Sequence, residues 1–421
     1  MKKFLALIVL IITCTQVFAQ QPVPTSLSEA DFARFTALRR SGIEALYNLD
    51  YEKARQDFQE VARLFPDHPA GPQLLAARLW AKTLYESRRL QTSLYNKDSF
   101  YASGDDKVDP KVVEEFRSLT RQAKRLCDIR LKKNPKDIEA LNFSAATSGL
   151  KASFQEAVER RHFAALRDGS DAVDRHREVL KLDPTYVDAK ITLGLYEYVV
   201  GSLPLPIKLL AGIGGFRGSK KKGLAMLEEV ASKGQWSQDD AKSLLVLLYS
   251  REKRFVDALA FARELSSKYS RNYLLRLEIA NALVAIASVE RKKNNATAAA
   301  KAEKEAFDTF DELLRDRAVR DTAARAMDLI HFRYGEVLLT ASQPERAAKE
   351  FLAATRVERG QPELVTMAHL YAARAFDLAG KRDEAMAHYK QVLTRPNVYD
   401  AHDAAKKGLR QPFKAEPDTG E

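Results

Sequence analysis

The sequence predicts an all-α chain in which helical hairpins stack into an α-solenoid. Three observations carry that expectation. From Leu27 onward apolar residues recur at three- and four-residue spacings, and long alternating strand-like runs are missing. Small residues sit on the apolar faces twelve apart, as at Ala145 and Ala157, Gly335 and Ala347, and Ala373 and Ala385. Several alanines are followed four residues on by an aromatic: Ala54 by Phe58, Ala306 by Phe310, Ala347 by Phe351 and Ala385 by Tyr389.

Each spacing has a physical cause. Two antiparallel helices joined by a tight turn cross closely, and a small residue on each lets the backbones approach. An aromatic one turn later fills the wider gap. Proline, which has no N–H to continue the helical ladder, then ends the second helix. It stands twelve residues after Ala54, Ala123 and Ala172, at Pro66, Pro135 and Pro184. Second helices also open as helices should. Pro344-Glu345 and Asp383-Glu384 place proline or negative charge in a first turn.

On these residues the chain resembles tetratricopeptide-repeat proteins, whose unit is about 34 residues. The clearest units are Asp239 to Ser270, Asp328 to Arg359 and Thr366 to Asn397. The resemblance runs over Leu27 to Arg410 and implies a right-handed α-solenoid of tetratricopeptide-like helical hairpins. It divides the chain into degenerate repeats over 20–200, with a loop at 95–110, and regular repeats with a capping helix over 223–410. A Gly/Pro-rich apolar insertion separates them at 201–222, and 411–421 reads as a disordered tail.

The N-terminus reads as an export signal. Lys2-Lys3 precede the apolar run Phe4 to Ile12, and Val17 and Ala19 supply the small residues of a cleavage site after Ala19. The run is too short for a span, which needs about 20 apolar residues. A lipoprotein cut before Cys14 is the alternative, although Thr13 stands where such signals carry a smaller residue. The expected location is therefore periplasmic or secreted. Cleavage after Ala19 leaves one cysteine, Cys127, expected as a buried apolar residue.

Two insertions interrupt the repeat. Tyr95 to Pro110 is polar, and its aspartates lack the alternate spacing, glycine and closing glutamate of a calcium loop. Gly201 to Gly223 sets Leu203, Leu205, Ile207, Leu209, Leu210, Ile213 and Phe216 beside Arg217 and Lys220 to Lys222. No phosphate-binding loop is spelled there, because Gly218 is followed by Ser219. The apolar residues either fold back between repeats or touch an anionic lipid surface. With the following GLAMLEEV, residues 201–230 are similar to a stretch of a eukaryotic tetratricopeptide family linked to the mitochondrial outer membrane. They depart from it at Ser219, where that family carries aspartate.

Charge and chemistry narrow the function. The formal charge is +11, but the basic runs are spread through the chain rather than clustered with exposed aromatics, so no nucleic-acid partner is expected. No His-Glu-x-x-His, Cys-x-x-Cys or Gly-x-Ser-x-Gly occurs, so no metal, cofactor or catalytic set is expected. The expectation is a non-enzymatic scaffold in the cell envelope that holds a peptide or partner helix of another protein. The alternative is a peripheral membrane protein using 201–223. In the resembled family, first-helix residues one turn apart contact the partner. Carried over by position these are Asn281, then Phe332, Arg333 and Glu336, then Leu370, Tyr371 and Arg374.

Overall fold

The structure, a computed structural model, describes residues 28–87, 108–203, 217–324, 326–358 and 360–414. Among them are eighteen α-helices and no strand. They form two compact units, one ending at Glu278 and the other beginning at Ile279.

The first unit is a run of hairpins: α1 (Glu29–Tyr47) with α2 (Tyr51–Leu64), α3 (Ala70–Glu86) with α4 (Pro110–Lys133), and α5 (Ile138–Phe154) with α6 (His162–Leu182). Next come α7 (Lys190–Gly201) with α8 (Lys220–Lys233), and α9 (Gln238–Arg251) with α10 (Phe255–Lys268). Helix α11 (Tyr273–Lys292) crosses the division. The second unit continues with α12 (Ala296–Arg315), the short α13 (Arg317–Thr322), α14 (Met327–Thr340) with α15 (Pro344–Thr355), and α16 (Pro362–Leu378) with α17 (Arg382–Leu393). It closes with α18 (Ala401–Arg410).

The expected spacings are the packing. Ala54, Ala123, Ala145, Ala172, Ala306, Ala347, Ala373 and Ala385 have no exposed surface, nor do Phe58, Phe310 and Phe351. Helices α2, α4 and α6 end at Leu64, Lys133 and Leu182, two residues before Pro66, Pro135 and Pro184. The aromatic lies directly on the small residue of the first helix. A Cβ added to Gly335 would stand 2.7–2.9 Å from three atoms of the Phe351 ring, and Gly42 meets Phe58 in the same way.

The tight turns repeat one geometry. Leu49, Lys253, Asn294, Ser342 and Gly380 each hold a left-handed backbone, with φ of 56–73°. The next residue donates its N–H back to a carbonyl five residues earlier: Asp50 to Ala45, Arg254 to Tyr249, Asn295 to Glu290, Gln343 to Leu338 and Lys381 to Phe376, at 2.8–2.9 Å. These bonds satisfy carbonyls that the helix end would otherwise orphan. Of the five left-handed residues only Gly380 and Asn294 suit that conformation intrinsically.

In the first unit the early hairpin is clasped by the last. Tyr47 bonds Asp240 through its hydroxyl and stacks on Tyr269 at 4.6 Å. Asn272 Nδ2 donates to the Tyr47 carbonyl at 2.7 Å, and the Arg271 N–H to Asn48 at 3.2 Å. Helix α5 is buried on nearly every side, as its lack of a polar face requires. Arg39 of α1 is wholly buried over Trp236, 4.3 Å from the ring, and over Phe143 at 5.9 Å. Burial pushes its guanidinium down to about 10.

The insertion at 201–222 springs from a pinned base. A Cβ on Gly201 would lie 2.5 Å from the Lys220 nitrogen, and one on Gly223 2.6 Å from the Gly194 carbonyl oxygen. The apolar stretch 204–216 lies outside the described residues, as do the N-terminal signal and most of the loop at 95–110.

Candidate partner-binding face

The first helices of the last two regular repeats, α14 and α16, position the candidate residues. Both helices turn most of their side chains inward. In α14 these include Leu329, Ile330, Phe332, Tyr334, Val337 and Leu338, and in α16 Leu370, Ala372, Ala373 and Ala375. Among the side chains that stay partly exposed are Arg333, Glu336, Tyr371 and Arg374.

These four side chains form one continuous row. Arg333 Nη1 donates to Glu336 Oε2 at 2.8 Å, one turn along α14, with the two side chains 14% and 28% exposed. The Tyr371 ring leans on the preceding repeat, 5.2 Å from Phe332 and 5.5 Å from Phe351. Burial, and then the Glu336 carboxylate, raise its phenol above the ordinary value. The Arg374 guanidinium lies over the Tyr371 ring at 5.2 Å and over the Phe413 ring at 5.0 Å. The row therefore offers alternating charge and aromatic surface on adjacent repeats.

The structure divides the seven expected residues. Arg333, Glu336, Tyr371 and Arg374 come together. Phe332 is fully buried and Leu370 is 2% exposed, so neither has surface for a partner. Phe332 is spent on packing, 5.1 Å from Phe351, because the aromatic that fills the hairpin crossing needs an apolar neighbour. Asn281 is half-buried on α11, and no described contact joins it to the row.

Two participants escaped the sequence reading. Asp377, one turn beyond Arg374, is an interior carboxylate that accepts from Arg382 Nη1 at 2.8 Å and Tyr389 Oη at 2.9 Å. Its third donor is the Phe413 backbone N–H, at 2.7 Å. The segment expected as a disordered tail thus begins with residues 411–414 held against α16. Residues 415–421 lie outside the described residues. Asp377 carried a weak signal, an acid at the end of an apolar helix with Arg382 five residues on. Phe413 carried none beyond being apolar.

Several other titratable groups are paired within the fold. His331 Nδ1 meets Glu350 Oε2 at 2.7 Å. His369 and His388 face each other through Nδ1 at 3.2 Å; burial, with Arg395 and His388 nearby, pushes His369 down to about 4. Glu139 is buried, which opposes ionisation, yet bonds from His68 and Arg130 hold it at about 2. Cys127 is fully buried and its thiol is pushed up to about 12. Among the described residues no group of three or more His, Cys, Asp or Glu is placed to hold a metal ion, and no helix is long and apolar enough to cross a membrane. At the base of the insertion, Lys220 pairs with Glu252 at 2.7 Å and Lys222 with Glu197 at 2.5 Å.

Comparison with known families agrees with the hairpin geometry. The tetratricopeptide-repeat family matches residues 37–68 and 367–397, the α1–α2 and α16–α17 hairpins. No curated protein matches the chain significantly. Among solved structures, a human IFIT1 dimer with PPP-AAAA is similar at 16% identity and a TM-score of 0.42, over 91% of this chain and 86% of that one. Yeast Tom70 is similar at 12% identity and a TM-score of 0.33, over 89% and 88%. Likeness of this degree says nothing of ligands.

Proposed function

We propose that this chain, built of tetratricopeptide repeats, is an exported, non-enzymatic scaffold that holds a peptide or helix of a partner protein against α14 and α16. The row Arg333, Glu336, Tyr371 and Arg374 carries the reading. A stacked-hairpin fold of this type serves protein–protein interaction in general. What singles out this face is a half-exposed aromatic between two guanidinium groups on adjacent repeats. Tyrosine and arginine are the residues that dominate interfaces, and arginine can grip a carboxylate with two parallel bonds. Export is inferred from residues 1–19, and the intact mass of the mature protein, starting at Gln20, tests it.

The test of the face is capture from an envelope fraction. Wild-type chain on a resin should recover a defined partner. The double variant Arg333→Glu, Arg374→Glu should lose it while keeping the same helical circular dichroism. Undiminished capture by the folded variant would sink the assignment.

A second reading, contact with an anionic lipid surface, draws support from a different place than the insertion. Phe163 is 91% exposed and Leu166 48% exposed at the start of α6, beside Arg161 and Arg167. An apolar knuckle flanked by guanidinium groups suits an acidic headgroup layer. Flotation with phosphatidylglycerol vesicles at low salt tests it, and absence of binding removes it.

A further inference from the structure

We propose that residues 411–414 occupy, in cis, a peptide subsite formed by Tyr371, Arg374 and Asp377, and that the subsite takes an aromatic residue from an extended partner strand. The inference rests on the partner-binding reading of α16 and names what that face recognises.

The chain's own segment supplies the template. Helix α18 stops at Arg410, and its last carbonyls, Gly408 and Leu409, accept from Arg382 Nη2 at 2.7 and 3.0 Å. From Gln411 the backbone is extended and returns to α16. There Phe413 makes two contacts of different kinds. Its ring lies 5.0 Å from the Arg374 guanidinium, which also covers Tyr371, so one cation meets two aromatic faces. Its N–H enters the interior to reach Asp377 Oδ2 at 2.7 Å.

The second contact sets the chemistry of the occupant. With Phe413 seated the Asp377 side chain is 0% exposed, so an occupant that covers Oδ2 in the same way also shuts water out. A carboxylate buried again but short of one donor is costly, so an occupant seated as Phe413 is must bring its own N–H. Arg374 meanwhile requires a flat apolar face. Together they specify a non-proline aromatic residue in extended conformation. The surface is adjacent to Arg333 and Glu336, so a longer peptide continues along the same row.

A labelled peptide of residues 409–416 (LRQPFKAE) is the probe, read by fluorescence anisotropy against the full chain and its variants. In the wild type the tethered Phe413 competes at an effective concentration on the order of millimolar. Phe413→Pro removes both the ring and the N–H and so frees the site, and the peptide should then bind at least tenfold more tightly than to the wild type. Binding to that variant should vanish with Arg374→Ala added. It should also vanish when the peptide carries N-methylphenylalanine, which keeps the ring and removes the N–H. Equal affinity for wild type and Phe413→Pro, or no binding to Phe413→Pro at millimolar peptide, would overturn the proposal. So would an N-methylated peptide that binds as well as the parent. The two readings fail separately. If the peptide behaves as expected but envelope capture ignores Arg333 and Arg374, the scaffold reading falls and the subsite stands. If capture depends on those arginines and Phe413→Pro changes nothing, the cis occupant falls alone.

Discussion

Replacing Gly335 with alanine tests the crossing on which each hairpin depends. In an open helix position Gly→Ala stabilises by roughly 0.5–1 kcal/mol, because glycine loses more backbone freedom on folding. At Gly335 the new Cβ would stand 2.7, 2.8 and 2.9 Å from three Phe351 ring atoms, about 1 Å inside the optimal carbon–carbon separation. The ring has no free space to move into. It is fully buried and flanked by Phe332 at 5.1 Å and Tyr371 at 5.5 Å. Overpacking of this kind costs about 1–3 kcal/mol, which outweighs the gain, so Gly335→Ala should destabilise by roughly 1–2 kcal/mol net. Gly169, inside α6, is the control: its added Cβ meets only Ala152 at 3.8 Å, an ordinary contact. Gly169→Ala should therefore stabilise by about 0.5–1 kcal/mol. Urea unfolding followed at 222 nm reads both midpoints. Phe351→Leu should be milder on the Gly335→Ala background than on the wild type, because the two changes relieve each other. If Gly335→Ala raises the midpoint as Gly169→Ala does, close crossing at this repeat is refuted.

Other expectations follow from single features. Ala347→Leu should cost about 1–3 kcal/mol in the same assay, since Ala347 is fully buried in the crossing. Gly380→Ala should cost about 1 kcal/mol from backbone strain alone, since φ is 73° and nothing lies within 4 Å of the added Cβ. An unchanged midpoint there would refute the turn geometry. Acid should weaken the second unit through His369, which binds a proton near pH 6.5 when unfolded but only near pH 4 when folded. The unfolded chain then holds more protons, so stability is intact above pH 6.5 and declines as pH falls toward 4. The expected loss is about 3 kcal/mol, and a His369→Gln variant with the same acid slope as wild type would contradict it.

How much of this was legible in the sequence depends on whether local spacing or distant contact decides a residue. The crossings were legible, because Ala347, Phe351 and Ala385 carry their instructions within one hairpin. So were the ends of α2, α4 and α6, since proline acts on its own backbone. The turns were less so. Leu49, Lys253 and Ser342 adopt left-handed φ because the returning N–H bond and the packed hairpin impose it, against their own preference. The closure of the first unit was not legible, because Tyr47 and Asp240 lie 193 residues apart. On the candidate face, register placed Arg333, Glu336, Tyr371 and Arg374 in one partly exposed row. It misassigned Phe332 and Leu370, since a first-helix position can face either groove or neighbour and only the packed stack decides. Phe413 was invisible because its partners, Arg374 and Asp377, belong to an earlier helix.

The most direct test of the account places a photo-crosslinking residue, p-azidophenylalanine, at Tyr371, at Phe163 and at Tyr399 in turn, in cells that make the protein. Tyr371 is half-buried on the candidate face, whereas Phe163 is 91% and Tyr399 46% exposed elsewhere. One defined protein adduct is expected from position 371 and none from the other two. An adduct formed from position 163 or 399 but absent from position 371 would contradict this expectation.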